Sequence, residues 1–380
     1  MADVFPLGLS NGPPNAAGLA EVAGSGINFV RTGIADWNLR DIDAQLAAEK
    51  ARLDAAKAHN LRCWLWLGGV ANLPTTAGSA NEQMLVRIAD SFVGHPALGA
   101  YKGTDEPRNP FRGKDWIRPA GLVRAYRLLK EADPTHPLVI IQAPRGPVAQ
   151  LVAYRPAFDI TGVDVYPVSY PPGSHTDSRN KDISVVGDMT AKMVTAAGRK
   201  PVWTTLQIAW SGTTPSAQHP DRVPRFPDLH QERFMAYQAI VAGARGLFFF
   251  GGHLTSVASP ADARAGWNWT FWREALRPVV AELASLQPLL VAPNAPKAVY
   301  AVGAPDVRTL TRRAAGHLYV VAVRRGSTTS RVEFAGLPKV GAGEVLFEYV
   351  NGAPRTIAVT ARGFRDWLGP HDVRVYRFTP

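Results

Sequence analysis

Residues 98–107 read LGAYKGTDEP, an apolar run ending in two adjacent carboxylates, Asp105 and Glu106, followed by Pro107. Leu98, Ala100 and Tyr101 have the character of a strand crossing a core, and the proline stops it. The two acids therefore stand where a buried strand reaches the surface. Like charges held side by side raise the pKa of one member, which suits a general acid near neutral pH. A structural duty competes with that role, because an acid pair can cap the next helix or neutralise Arg108, Arg112 and Lys114. Other chemistries find less support. GLSNG at 8–12 matches a nucleophile elbow around Ser10, but a single short strand precedes it, so it reads as a strand-ending turn. The nine histidines are dispersed, no cysteine pair exists and no His-Glu-x-x-His occurs, so neither a metal nor a cofactor is expected.

Holding such a pair in place needs a frame. Apolar runs at 4–11, 27–34, 61–69, 98–106, 137–143, 158–166, 201–210 and 246–252 predict eight strands. Helical patterns separate them; at 41–60, for example, Ile42, Leu46 and Leu53 share one face of an Ala-rich segment. Eight such alternations predict an α/β fold, a (β/α)₈ barrel over residues 1–296, near the usual ~250 residues before insertions. An open doubly wound sheet would want a glycine fingerprint after its first strand, and none is present. Beyond 283–296 the helical period disappears. Alternating runs divided by Gly, Asn and Pro turns predict an antiparallel β-sandwich over 297–380. In a barrel the loops that follow the strands line the functional face, which places Asp105 and Glu106 there. Long loops after strands six, seven and eight would frame the same mouth.

With DEP closing strand four, VDVYP (163–167) on strand six and Arg31 ending strand two, the chain resembles the clan A glycoside hydrolases. HPALGAYKGTDEP, VDVYPV and PVWTTLQIAW also look like a broad group of bacterial glycosidase-like proteins. The resemblance implies Glu106 as general acid on a glycosidic oxygen, with Asp105, Asp164, Tyr166, Gln207 and Arg31 around the sugar. It also implies a nucleophilic Glu ending strand seven, but Gln207 stands there, and an amide cannot form a covalent glycosyl intermediate. Three mechanisms stay open. A substrate 2-acetamido group could attack, with Asp105 orienting it. A more distant carboxylate, Asp164 or Asp36, could activate water in an inverting reaction. Or the barrel is a glycan-binding protein without catalysis. Trp210, Tyr166, Tyr170, Trp267, Trp269 and Trp272 fall at or beyond strand ends, where pyranose faces could stack on them. Loop anchoring competes with that role for Trp267 and Trp269, while Trp64 and Trp66 alternate within a strand and read as core. His253 is a candidate hydroxyl ligand or core cap, and Lys102, sharing parity with Glu106, a candidate partner for an acid.

The net charge of +11 comes from scattered Arg and Lys with no run of five, which reads as general solubility, with an anionic glycan as the alternative. The expected partner is an oligosaccharide, polysaccharide or glycoside. Nucleic acid is not, because an acid-lined mouth repels phosphates. No apolar stretch approaches the ~20 residues of a membrane span, and the first residues lack a signal-peptide pattern. A periplasmic or secreted location is expected, with cytoplasmic as the alternative. The lone Cys63, inside RCWLWLGG, is expected to be buried and inert.

Overall fold

The computed structural model describes residues 4–109, 117–361 and 363–379. Eight parallel strands form its centre: β1 (Leu7–Leu9), β2 (Phe29–Gly33), β3 (Arg62–Trp66), β4 (Leu98–Lys102), β5 (Leu138–Gln142), β6 (Ile160–Asp164), β7 (Val202–Gln207) and β8 (Leu247–Phe250). They pair in sequence order, and β8 returns to β1 through Leu7–Leu247 and Leu9–Phe249, so the barrel is closed. Alternate residues of each strand point inward. Phe29, Trp64, Ala100, Val139, Ile141, Ile160, Trp203 and Phe248 meet there as one cluster. Trp203 stacks on Phe248 at 4.9 Å and meets Phe29 edge-on at 5.7 Å. These aromatics leave no room on β1, where a Cβ at Gly8 would lie 2.2 Å from the Phe248 ring. The interior is a packed core that supports a site above it.

Helices α1 (Ala16–Gly24), α2 (Ile42–Lys57), α3 (Ala80–Phe92), α4 (Pro119–Ala132), α5 (Val148–Val152), α6 (Val185–Ala197) and α7 (Leu229–Val241) cover the outside. Beyond β8 come α8 (Pro260–Ala265), α9 (Trp269–Phe271), α10 (Arg277–Ser285) and α11 (Gln287–Val291). Their starts follow local chemistry: Ser79 caps α3, and Asp228 with Gln231 closes a capping box on α7. None of the helices described is long and apolar enough to cross a membrane. Cys63 is buried, and desolvation pushes its thiol up to about 12, so it stays an inert thiol at neutral pH.

The rest of the chain is antiparallel: β9 (Tyr300–Val302), β10 (Val307–Ala314), β11 (His317–Arg324), β12 (Ser330–Ala335), β13 (Gly343–Val350), β14 (Ala353–Ile357), β15 (Val359–Thr360), β16 (Gly363–Leu368) and β17 (Val373–Phe378). They form two sheets, ordered β10-β11-β17-β13-β14 and β15-β16-β12-β9. Strand β11 explains its own unbroken apolar sequence. Leu318, Val320 and Ala322 face the interior between the sheets, whereas Tyr319, Val321 and Val323 join the cluster that runs through the barrel helices. A strand buried on both faces has no polar alternation to show. Polar contacts reinforce this packing: Arg325 reaches Asp188 at 2.7 Å, and His371 meets Asp182 at 3.1 Å. Both acids flank the N-terminus of α6, so the β-domain braces the end of the loop that follows β6.

The interior aromatics set a stability expectation. Trp203→Ala opens a cavity beneath the barrel mouth and should cost about 3–5 kcal/mol, read as a lower urea midpoint at unchanged slope.

Candidate active site

Barrel closure brings one residue from each strand end to a shared floor. Ser10, just past β1, joins Arg31, Trp64, Lys102, Ile141, Asp164, Thr205 and Phe250 in lining a cavity of about 460 Å³. That volume lies within the ~300–1,000 Å³ usual for small-molecule sites. The loops above add Asp105, Glu106, Asn109, Arg145, Tyr166, Ser174, His175, Trp210 and Arg222 to the walls.

Glu106 has a left-handed backbone, with φ of 43°, a conformation that non-glycine residues seldom adopt. Its N–H donates to the Ile141 carbonyl at 2.8 Å, which pins the residue to the end of β5. Strain held in this way is a feature of sites where a side chain must be aimed. Asn109 Nδ2 donates to Glu106 Oε2 at 2.5 Å. The adjacent Asp105 is bound to Lys102 Nζ at 2.7 Å, so the strand-end acid pair is split between two tasks. Lys102 pairs with an acid as its parity suggested. Arg112 and Lys114, candidates for the same duty, lie outside the described residues.

Asp164 is the buried member of the site. Desolvation, and then the charges of Glu106 and Asp105, push its carboxyl well above the usual carboxylate range. Its protonated form is favoured accordingly, and among the described residues its Oδ1 has no hydrogen-bond partner. The Tyr166 phenol beside it is likewise raised by burial and by the Asp164, Asp105 and Glu106 charges, so it stays a donor. His175 completes the cluster. The Tyr166 backbone N–H donates to its Nδ1 at 3.3 Å, and burial lowers the ring to about 3, leaving a neutral imidazole. Phe250 stacks on Tyr166 at 5.3 Å, and Trp210 stands edge-on to His175 at 4.8 Å.

Glu106, Asp164 and His175 each offer an atom lying within 4.8 Å of the other two. Among the described residues this group has the spacing to hold a metal ion, but Arg31, Lys102 and Arg145 line the same cavity and repel a divalent cation. A shared proton suits the surroundings better. Two carboxyls this close cannot both ionise cheaply, so they titrate as a unit. The wider separation expected of Asp164 for an inverting reaction is not found, because both side chains converge on the barrel axis. Asp36 is exposed and outside the cavity lining.

Several expected sugar ligands are structural instead. Gln207 is fully buried; its Oε1 accepts from Val168 N at 2.7 Å and its Nε2 donates to Val168 O at 2.9 Å. Both ends of the amide are used to clamp the loop after β6, so Gln207 does not face the cavity. Trp267 is fully buried, donates to the Asn11 carbonyl at 3.1 Å and packs on Trp269 and Trp272. Trp269 lies against Gly18, under the Arg273 guanidinium at 5.2 Å. Both tryptophans anchor the segment after β8 rather than line the mouth. His253 is exposed beside the lining, its Nδ1 3.1 Å from the Asn11 amide, whose other end accepts from Arg31. Tyr170 is exposed and receives a hydrogen bond from Arg225. Glu106, Asp105, Asp164, Tyr166, Trp210 and Arg31 are the expected residues that do come together.

His175, Asn109, Arg145, Thr205, Phe250 and Arg222 were not anticipated. Phe250 and Thr205 have the strand parity that would have found them. His175 and Arg222 sit in long loops with no periodic signal, and only the folded path brings them to the mouth.

No protein-family model matches the sequence, and no curated protein matches it. Solved structures match in fold. A glycoside hydrolase of family 5 from Bacteroides vulgatus has a TM-score of 0.64 at 12% identity, covering 99% of this chain and 89% of that one. A family 30 endoxylanase from Clostridium papyrosolvens has a TM-score of 0.55 at 12% identity, with coverages of 100% and 97%. An alpha-amylase from Geobacillus thermoleovorans, solved with acarbose, has a TM-score of 0.60 at 10% identity, with coverages of 100% and 99%. Matches of this length span the barrel and the trailing sheets together, and the chain shares their fold, a closed eight-stranded parallel barrel followed by antiparallel sheets.

Two expectations follow from this geometry. Gln207→Glu removes the donor that satisfies Val168 O, so it should destabilise the fold by about 1–3 kcal/mol in chemical denaturation. Asp164 binds its proton more tightly folded than unfolded, so between pH ~4 and its folded pKa the unfolded chain releases a proton first and stability falls as pH rises. Asp164→Asn abolishes that loss. Its stability relative to the wild type should therefore increase from about pH 4 to pH 8, checked by denaturation at both values.

Proposed function

We propose that the protein is a glycoside hydrolase acting with retention of anomeric configuration, with Glu106 and Asp164 as its carboxyl pair. The observation that carries this reading is their approach within 4.8 Å at the floor of a closed barrel. A retaining pair stands about 5–5.5 Å apart, whereas an inverting pair needs ~6.5–9.5 Å to admit a water. A retaining pair also needs one protonated and one ionised member, and the raised Asp164 carboxyl beside Glu106 favours a single shared proton.

Glu106 is the general acid. It is only part-buried, faces the cavity and is steered by Asn109. Once the proton is on Glu106, the leaving glycosidic oxygen receives it while the bond to the anomeric carbon breaks. Asp164, then anionic, attacks that carbon from the floor, and water later releases the sugar with Glu106 acting as base. Tyr166 donates to the Asp164 carboxylate as its charge changes. Neutral His175 and the Trp210 face supply hydrogen bonding and stacking for the ring. Attack by a substrate 2-acetamido oxygen also gives retention; in that case the proton is likewise on Glu106, and the Asp164 carboxylate accepts from the acetamido N–H.

A glycoside panel that includes 2-acetamido sugars tests this directly. Glu106→Gln should lose ~10²–10⁴-fold on substrates with poor leaving groups and far less on activated aryl glycosides. The first product formed, followed by NMR, should keep the substrate anomer. An inverted product, or wild-type rates in Glu106→Gln, overturns the assignment. Glycan binding without any turnover across the panel establishes the binding-protein alternative.

A further inference from the structure

We infer that the sugar bound at this site carries an anionic group, a uronate carboxylate or a sulfate ester, and that Arg222 recognises it. The inference rests on the glycosidase reading and adds the charge class of the substrate.

Among the described residues, more cationic than anionic side chains line the cavity despite its carboxyls. Arg31, Lys102, Arg145 and Arg222 line it, against Asp105, Glu106 and Asp164. Lys102 and Asp105 cancel in their 2.7 Å pair. Burial and its acidic neighbours favour the neutral form of Asp164. Among the described residues, three guanidiniums then face the Glu106 carboxylate. Arg145 is already answered, since Asp177 and then Glu106 act on it, and its Nη2 donates to Ser174 O at 2.9 Å. Arg31 and Arg222 are left in excess.

Neither of these two makes an ion pair among the described residues. Arg31 forms part of the floor, with its guanidinium 4.6 Å over the Trp66 ring and the Asn11 amide as its hydrogen-bond acceptor. Burial lowers it from its usual value, and Asp105 only partly opposes that. A desolvated cation without a counter-ion is costly, and an anionic ligand is what offsets the cost. Arg222 is part-buried on the loop after β7, and its guanidinium has no hydrogen-bond partner among the described residues. Guanidinium offers donors only, so a neutral sugar, which donates as much as it accepts, is a poor match for several of them. A carboxylate or sulfate presents acceptor oxygens alone, and the planar fork of Arg fits it with two parallel bonds. The chain's net charge of +11 adds long-range attraction of the same sign.

The test compares matched ligands that differ only in charge: aryl glucoside with glucuronide, galactoside with galacturonide, and 2-acetamido glucoside with its 6-sulfate. Wild type is assayed for hydrolysis, and Glu106→Gln for binding by calorimetry, at low salt and at about 0.5 M salt. The anionic member should be favoured ~10–100-fold, and the preference should shrink in high salt. Arg222→Gln should cut the anionic-to-neutral ratio about tenfold, while Arg222→Lys, which keeps the charge without the fork, should fall between. Which anionic arm responds separates carboxylate from sulfate. If hydrolysis proceeds with neutral and anionic members equal, the charge inference fails and the glycosidase reading stands. If anionic ligands bind in an Arg222-dependent way without turnover, the inference stands and the enzyme reading fails. If no ligand is bound or cleaved, both fail.

Discussion

Closure of the eight-stranded sheet is the constraint on which this molecule depends. Because β8 pairs with β1, no strand has a free edge, and every second side chain points at a common axis. The lower positions on that axis are taken by Phe29, Trp64, Trp203 and Phe248, which fill the interior. The upper positions have nothing above them but loops, so polar groups that an open sheet would spread apart are forced together. Arg31, Lys102, Asp164 and Thr205 come from four different strands, and only closure makes them neighbours.

That convergence sets the electrostatics. A carboxyl at the end of β6 loses water and gains two acidic neighbours, so the protonated form of Asp164 is favoured far more than in solution. The same crowding holds His175 neutral and Tyr166 a phenol. Cations from β2 and β4 and from the loops after β5 and β7 line the same cavity.

Much of the remaining polar and aromatic inventory holds loops still. Gln207 spends its amide on Val168, Trp267 its indole N–H on Asn11, and the β-domain ties down the start of α6 through Asp182 and Asp188. These contacts fix the loop that carries His175 from both ends. A rigid loop is needed where a neutral imidazole must stay within reach of two carboxyls.

The barrel and the β-domain were legible in the sequence because both rest on local periodicity. Alternating apolar strands and one-faced helices give the first, and short strands divided by Gly, Asn and Pro turns give the second. Glu106 was legible for the same reason, being a carboxyl at a strand end before proline. The roles of Gln207, Trp267, Trp269 and His253 were not, because a strand-end position says nothing about which way a flexible side chain turns. Gln207 has the strand parity of a ligand, yet Val168 offers it two backbone partners, and a buried amide takes both. The separation of Glu106 from Asp164 was decided by tertiary structure alone. It depends on how two strands 58 residues apart in sequence tilt toward one axis, a distance that no local pattern records.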